Sequence, residues 1–182
     1  MKSNRKMEEL FYNYPTKHWH FEELLQEAGL SRAQTNVWLK KLIINNLVIR
    51  LKQKGKMPYY IANYQHPHYQ NSKRLYAWER LHESGLLDYL VSLDKAEVII
   101  LFGSFSRWDW YDNSDVDIFV YGNIDKVYVG KFMPKLKREI QIFSGKDRQD
   151  LKQIGSALLK NIIKGITIKG TLPQEVINYA TV

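Results

Sequence analysis

The sequence contains no cysteine. Disulfides, thiolate metal sites and cysteine nucleophiles are thereby excluded for these 182 residues. A cysteine-free chain suits a reducing compartment, and a cytoplasmic location is expected. No run of about 18 apolar residues, the length a membrane-spanning helix needs, occurs anywhere, so no membrane partner is expected. The opening MKSNRKMEEL is charged and leads into no apolar stretch, unlike a secretory signal. Internal repeats and low-complexity segments are missing too, which argues against solenoids and arrays.

What is present is a composition able to fold. Hydrophobic residues make up 45% of the chain, which takes it out of the disordered class. The formal charge is +8 and unevenly spread. Residues 1–70 hold 11 Lys and Arg against 5 Asp and Glu, a net of +6. Residues 71–182 hold 16 against 14, a net of +2. A basic N-terminal part suits a polyanion partner, and equally a well-solvated surface.

Two domains are expected, 1–65 and 72–182. The boundary lies in residues 63–72, NYQHPHYQNS, a polar stretch with proline and no apolar periodicity. Before it, helices are expected over 7–14, stopped before Pro15, and over 21–28, closed by Gly29. Ser31 is the expected N-cap of a third helix reaching about Asn46, with Thr35, Leu39, Leu42 and Ile43 inward. Residues 47–52 and 59–62 read as strands joined by the basic loop QKGKMP. After the boundary come a helix over 73–93, interrupted at Gly85, and strands over 97–102, 115–121 and 139–143. Helices are expected over 124–137 and 147–164, and a last short strand over 165–169. Strands alternating with helices define a mixed α/β or α+β domain.

The segment with chemistry in it is LFGSFSRWDWYDNSDVDIFV, residues 101–120. A buried strand runs into Gly103-Ser104, ten residues follow, and then Asp115-Val116-Asp117-Ile118 alternates acid with apolar. In a strand, residues i and i+2 share a face, so Asp115 and Asp117 stand side by side while Val116 and Ile118 turn to the core. Two like charges at that spacing repel, and a hard divalent ion such as Mg²⁺ (or Mn²⁺) bound through oxygen stabilises them. Gly103 lets backbone approach a ligand closely. Ser104, near an expected helix start, supplies a hydroxyl and N–H groups for phosphate, and Arg107 a charge-assisted contact.

An apolar strand, Gly-Ser, ten residues and Asp-apolar-Asp-apolar together resemble the nucleotidyltransferase superfamily related to DNA polymerase beta, especially its minimal prokaryotic members. Phe102, Gly103, Ser104, Arg107, Ser114, Asp115, Val116, Asp117 and Ile118 carry the likeness, which covers roughly residues 72–170. The resemblance implies a small nucleotidyltransferase fold with a mixed sheet. It implies a nucleoside triphosphate substrate, gripped by Gly103, Ser104, Arg107 and Ser114, and metal held by Asp115 and Asp117. It also implies in-line transfer of a nucleotidyl group to an acceptor hydroxyl. Two departures stand out. Trp108 replaces the glycine common after the arginine. The third carboxylate usual on a later strand falls, in the stretch REIQIF, at Gln141, which cannot act as a base; Glu139, two residues earlier on the same face, is either its substitute as a catalytic acid or a surface acid paired with Lys or Arg.

The N-terminal half looks like a winged helix-turn-helix domain, through FEELLQEAGLSRAQTNVWLKKLIINNLVI. The likeness implies a DNA partner read by Arg32, Gln34, Asn36 and Lys41 from the third helix. Lys52, Lys54 and Lys56 would touch phosphates from the wing. Such units also serve protein contacts, and dimers are usual by analogy. His18-x-His20 and His66-Pro-His68 read as surface or linker residues rather than metal pairs. Trp108, Trp110 and Tyr111 suit base stacking or core packing. Three functions follow: a nucleotidyltransferase with an unidentified acceptor, whether a protein, an RNA end or a small molecule; a DNA-binding regulator whose second domain senses nucleotide without turnover; and an antitoxin-type partner of a toxin protein.

Overall fold

Helical spacing at the start of the chain produces three helices, α1 (Lys2–Asn13), α2 (Phe21–Ala28) and α3 (Arg32–Ile44). The computed structural model describes residues 2–124 and 126–181. Gly29 ends α2 in the left-handed region at φ 63°, a conformation that costs a residue without a Cβ nothing. Ser31 then caps α3 reciprocally: its hydroxyl accepts from the Gln34 amide N–H, and the Gln34 side chain accepts from the Ser31 N–H at 3.0 Å. Such a box contributes about 1 kcal/mol. Thr35, Leu39 and Leu42 are the buried face of α3. An antiparallel hairpin follows, β1 (Val48–Leu51) and β2 (Tyr59–Ala62). Trp19 adds a one-residue bridge to Tyr60, both N–H···O distances being 2.8 Å. The core here gathers Met7, Phe11, Trp19, Leu24, Leu39 and Tyr60.

The chain divides into two units, Met1–Lys73 and Arg74–Val182. The expected irregular linker over 63–72 is largely helix, because α4 runs over Pro67–Ser84. Proline at a first helical position loses no hydrogen bond, and buried Tyr69, Tyr76, Ala77 and Leu81 give the segment a helical stripe that starts inside the polar stretch. Gly85, at φ 81°, separates α4 from α5 (Leu86–Val91).

The second unit holds a four-stranded mixed sheet of order β5-β4-β3-β6, from β3 (Ala96–Phe102), β4 (Val116–Gly122), β5 (Ile140–Gly145) and β6 (Ile166–Lys169). β3 pairs antiparallel with both neighbours, and β4 with β5 runs parallel. Val98, Ile100, Phe102, Phe119 and Tyr121 line one face. Leu151, Leu159, Ile162, Val176 and Ala180 cover it, from α7 (Arg148–Ile154), α8 (Ser156–Ile162) and α9 (Gln174–Thr181).

Three expectations are corrected. The helix over 124–137 shrinks to α6 (Met133–Leu136) with Pro134 in its first turn, since the sequence before it carries β-branched residues and Gly130. The helix over 147–164 breaks at Gly155, whose φ 82° and ψ 148° belong to no helix. The terminal helix α9, amphipathic but short, was not anticipated. No described helix is long and apolar enough to cross a membrane.

Candidate metal and nucleotide site

β3 is buried at five successive positions from Val98 to Phe102, and Phe102 lies opposite Asp117 of β4. The chain then turns at Gly103, with φ 72°. A Cβ there would collide with Asp117 Oδ2 and lie 3.0 Å from its Cγ. Only glycine allows the turn and the carboxylate to share that space. The turn is closed by the Ser106 hydroxyl donating to the Gly103 carbonyl at 2.8 Å and by the Arg107 N–H donating to the Ser104 carbonyl at 3.0 Å. No helix follows, so the helix start expected at Ser104 is corrected to a turn. Ser104 itself is half-buried beside Gly103.

Arg107 is exposed and forms a bidentate pair with Asp109 at 3.1 and 2.9 Å. That hydrogen-bonded pairing pushes the guanidinium above its ordinary value. The Ser114 hydroxyl accepts from the Tyr111 N–H at 2.8 Å and so closes the loop that delivers Asp115. Trp110 is fully buried, 5.3 Å from Phe105 and 6.1 Å from Tyr76 between ring centroids. Base stacking by Trp110 is therefore excluded; Tyr111 remains 46% exposed.

Asp115 immediately precedes β4 and Asp117 lies within it, both half-buried, while Val116 and Ile118 are fully buried as the alternation demanded. Burial first, and the Asp115 charge second, hold the Asp117 carboxyl above its ordinary range. Across the parallel pair Gln141 stands opposite Asp117, and its Nε2 donates to Asp115 Oδ2 at 2.5 Å. Glu139 is not brought into the group. It precedes β5, its carbonyl accepts from the Val116 N–H at 2.9 Å, and its exposed side chain lines a surface cavity with Met133, Lys137 and Arg138. Among the described residues no three His, Cys, Asp or Glu side chains converge on a metal position.

One organising residue lies outside the expected site residues. Arg138 Nη1 donates to the carbonyls of Tyr111, Asp112 and Ser114 at 2.6, 2.9 and 2.8 Å. Its guanidinium carbon lies 4.7 Å from the Trp110 ring centroid and 5.1 Å from that of Phe105. The acceptors are backbone atoms 24 to 27 residues upstream, which leave no side-chain pattern.

In the first unit, two of the expected base readers are otherwise engaged. Arg32 pairs with Glu22 at 2.7 Å, and Gln34 serves the capping box. Lys41 lies over the Trp38 ring at 4.4 Å, and Asn36, Lys52, Lys54 and Lys56 are exposed. The histidines have local roles: His18 stacks on Tyr59 at 4.2 Å, His20 Nδ1 lies 3.2 Å from the Pro58 carbonyl, and His66 Nδ1 accepts from the His68 N–H.

The second unit thus presents a glycine turn packed against a strand carboxylate on a four-stranded mixed sheet. The family described as "Polymerase beta, Nucleotidyltransferase" matches residues 85–172. A protein of Methanocaldococcus jannaschii named "Putative protein adenylyltransferase MJ0141" is 37% identical over 86 residues, 47% of this chain and 77% of that protein. Two solved chains, a crystal structure of a toxin-antitoxin MntA-HpeT mutant and one of the toxin-antitoxin with AMP-PNP, share 18% and 20% identity. Each is covered to 81% and covers 59% of this chain at a TM-score of 0.36, too distant a likeness to build on. The sequence relative and the family match together place this chain in the polymerase beta-type nucleotidyltransferase family.

Proposed function

We propose that the chain transfers a nucleoside monophosphate from a nucleoside triphosphate to an acceptor hydroxyl, adenylate to a protein side chain being the first combination to test. The observation that supports this most is the Asp117 carboxylate packed against the Gly103 turn with the Asp115 charge acting on it. Two half-buried carboxylates, one of them disfavoured as an anion by burial and by its neighbour, are a hard-oxygen donor set that fits Mg²⁺ or Mn²⁺. When bound, the ion would neutralise charge on the triphosphate and on the departing pyrophosphate. The chain's own groups do the rest. The Gly103-Ser104 turn offers backbone and hydroxyl donors to phosphate, and Arg107 and Ser114 shape the loop around it. The acceptor oxygen forms a bond to the α-phosphorus, the bond to pyrophosphate breaks, and the acceptor proton passes to solvent.

The first unit we read as a winged helix-turn-helix that binds duplex DNA. The net charge of +6 over residues 1–70 and the exposed Asn36, Lys41, Lys52, Lys54 and Lys56 support this. A nucleotide-sensing regulator without turnover is the second reading, and Gln141 in place of a third carboxylate favours it. Calorimetric titration of ATP, GTP, CTP and UTP with Mg²⁺ separates them, with pyrophosphate release followed alongside. Binding lost in the Asp115→Asn/Asp117→Asn double variant, with release on adding an acceptor protein, supports the transferase. Binding without release on any acceptor supports the sensor, and no binding by any nucleotide sinks both.

A further inference from the structure

Asp115 and Asp117 bring two negative charges to one edge of the sheet, and an uncharged amide completes the group. Gln141 Nε2 donates to Asp115 Oδ2 at 2.5 Å, while its backbone lies opposite Asp117. The reverse orientation of the amide would set a carbonyl oxygen against a carboxylate, so the donor faces inward. This bond takes one of the acceptor sites of Asp115 and adds no negative charge to the group. Two divalent ions in a shared site lie roughly 3.5–4 Å apart and repel strongly unless several anions bridge them. The two carboxylates match the charge of one ion, and no third His, Cys, Asp or Glu converges here among the described residues.

We propose that the protein holds a single divalent cation between Asp115 and Asp117, and that Gln141 is the positioning residue that limits the site to one by holding Asp115. This rests on the nucleotidyl-transfer reading of the site. The side chain of Gln141 is exposed, so a carboxylate there is compatible with the fold.

The test is to count bound Mn²⁺ by electron paramagnetic resonance on the nucleotide-free full chain, with Mn²⁺ alone as the probe. The wild type should take up one Mn²⁺ per chain with the six-line spectrum of an isolated ion, and the Asp115→Asn/Asp117→Asn variant none. Gln141→Glu should take up two, with the spectrum of a coupled pair; Gln141→Asp is the second variant should the first fail to fold. Two ions on the wild type, or one ion still on both folded Gln141 variants, overturns the proposal while leaving nucleotidyl transfer standing. No uptake by the wild type at millimolar Mn²⁺ also overturns the proposal, and leaves nucleotidyl transfer to the nucleotide titration, because a triphosphate brings oxygen ligands of its own.

Discussion

Gly103 and Asp117 are so close that no β-carbon fits between them. The left-handed turn that ends β3 and the inward carboxylate of β4 thus form one unit. Gly103→Ala adds both a collision with Asp117 Oδ2 and a φ of 72° to an L residue, a cost of roughly 1–3 kcal/mol if the backbone holds. The expected result is a lower Tm and at least a tenfold loss of Mn²⁺ affinity, measured by thermal melting and cation titration. An alanine variant with unchanged affinity would show that the turn and the carboxylate move independently.

Asp117 is held above its ordinary acidity range by burial and by Asp115. The native state therefore binds this proton more tightly than the unfolded chain does. Its contribution to stability is complete below the ordinary carboxyl value and is lost as pH rises through the raised one. Asp117→Asn should melt higher than the wild type at neutral pH without divalent cation, by on the order of 2 °C given the partial exposure. The gap should close toward pH 4 and also on adding Mg²⁺ to the wild type. Parallel melts across pH check this.

Arg138 pins the loop before Asp115 through three carbonyls. Arg138→Met leaves those carbonyls without their charged donor and should cost roughly 2–4 kcal/mol. Arg138→Lys should recover only part, because an ammonium lacks the planar surface that stacks on Trp110 and Phe105. Hydrogen exchange should quicken first at the N–H groups of Tyr111 and Ser114, which are bonded within that loop.

Tyr121 donates its phenol proton to Glu175, and this bond, with burial and the negative charges of Glu175, Glu97 and Asp147, pushes it up to about 12. Stability from this contact is present below the ordinary tyrosine value near 10 and falls as pH rises toward 12. Ultraviolet titration of the wild type against Tyr121→Phe should isolate one phenol ionising near that upper value, and Glu175→Gln should bring it down.

For the first unit, replacing Lys52, Lys54 and Lys56 with alanine should weaken duplex binding uniformly across sequences. It should also reduce the salt-dependence slope by about 2–3 units, one counterion term per lost phosphate contact. An unchanged slope would remove the hairpin from the interface.

The elements most legible in the sequence are those whose causes are local. Ser31 as the cap of α3, Gly29 after α2, and the alternation of Asp115 to Ile118 each act over a few residues, and the structure shows each of them. Tyr69 shows the limit: its stripe begins inside a polar stretch, so α4 starts at Pro67 rather than later. Gly155 and Gly130 sit where helical periodicity was read through them, and backbone freedom overrode the apolar pattern.

By itself the sequence determined the strand–Gly-Ser–ten–Asp-x-Asp order, and with it two carboxylates on one face, because side-chain alternation is a property of a single strand. Only the tertiary structure decided what completes that face. The parallel pairing of β4 with β5 sets Gln141 against the aspartates, and it brings Arg138 onto a loop more than twenty residues upstream. Register between strands distant in the chain depends on how their side chains pack against the rest of the sheet and its helices, and no local pattern encodes it.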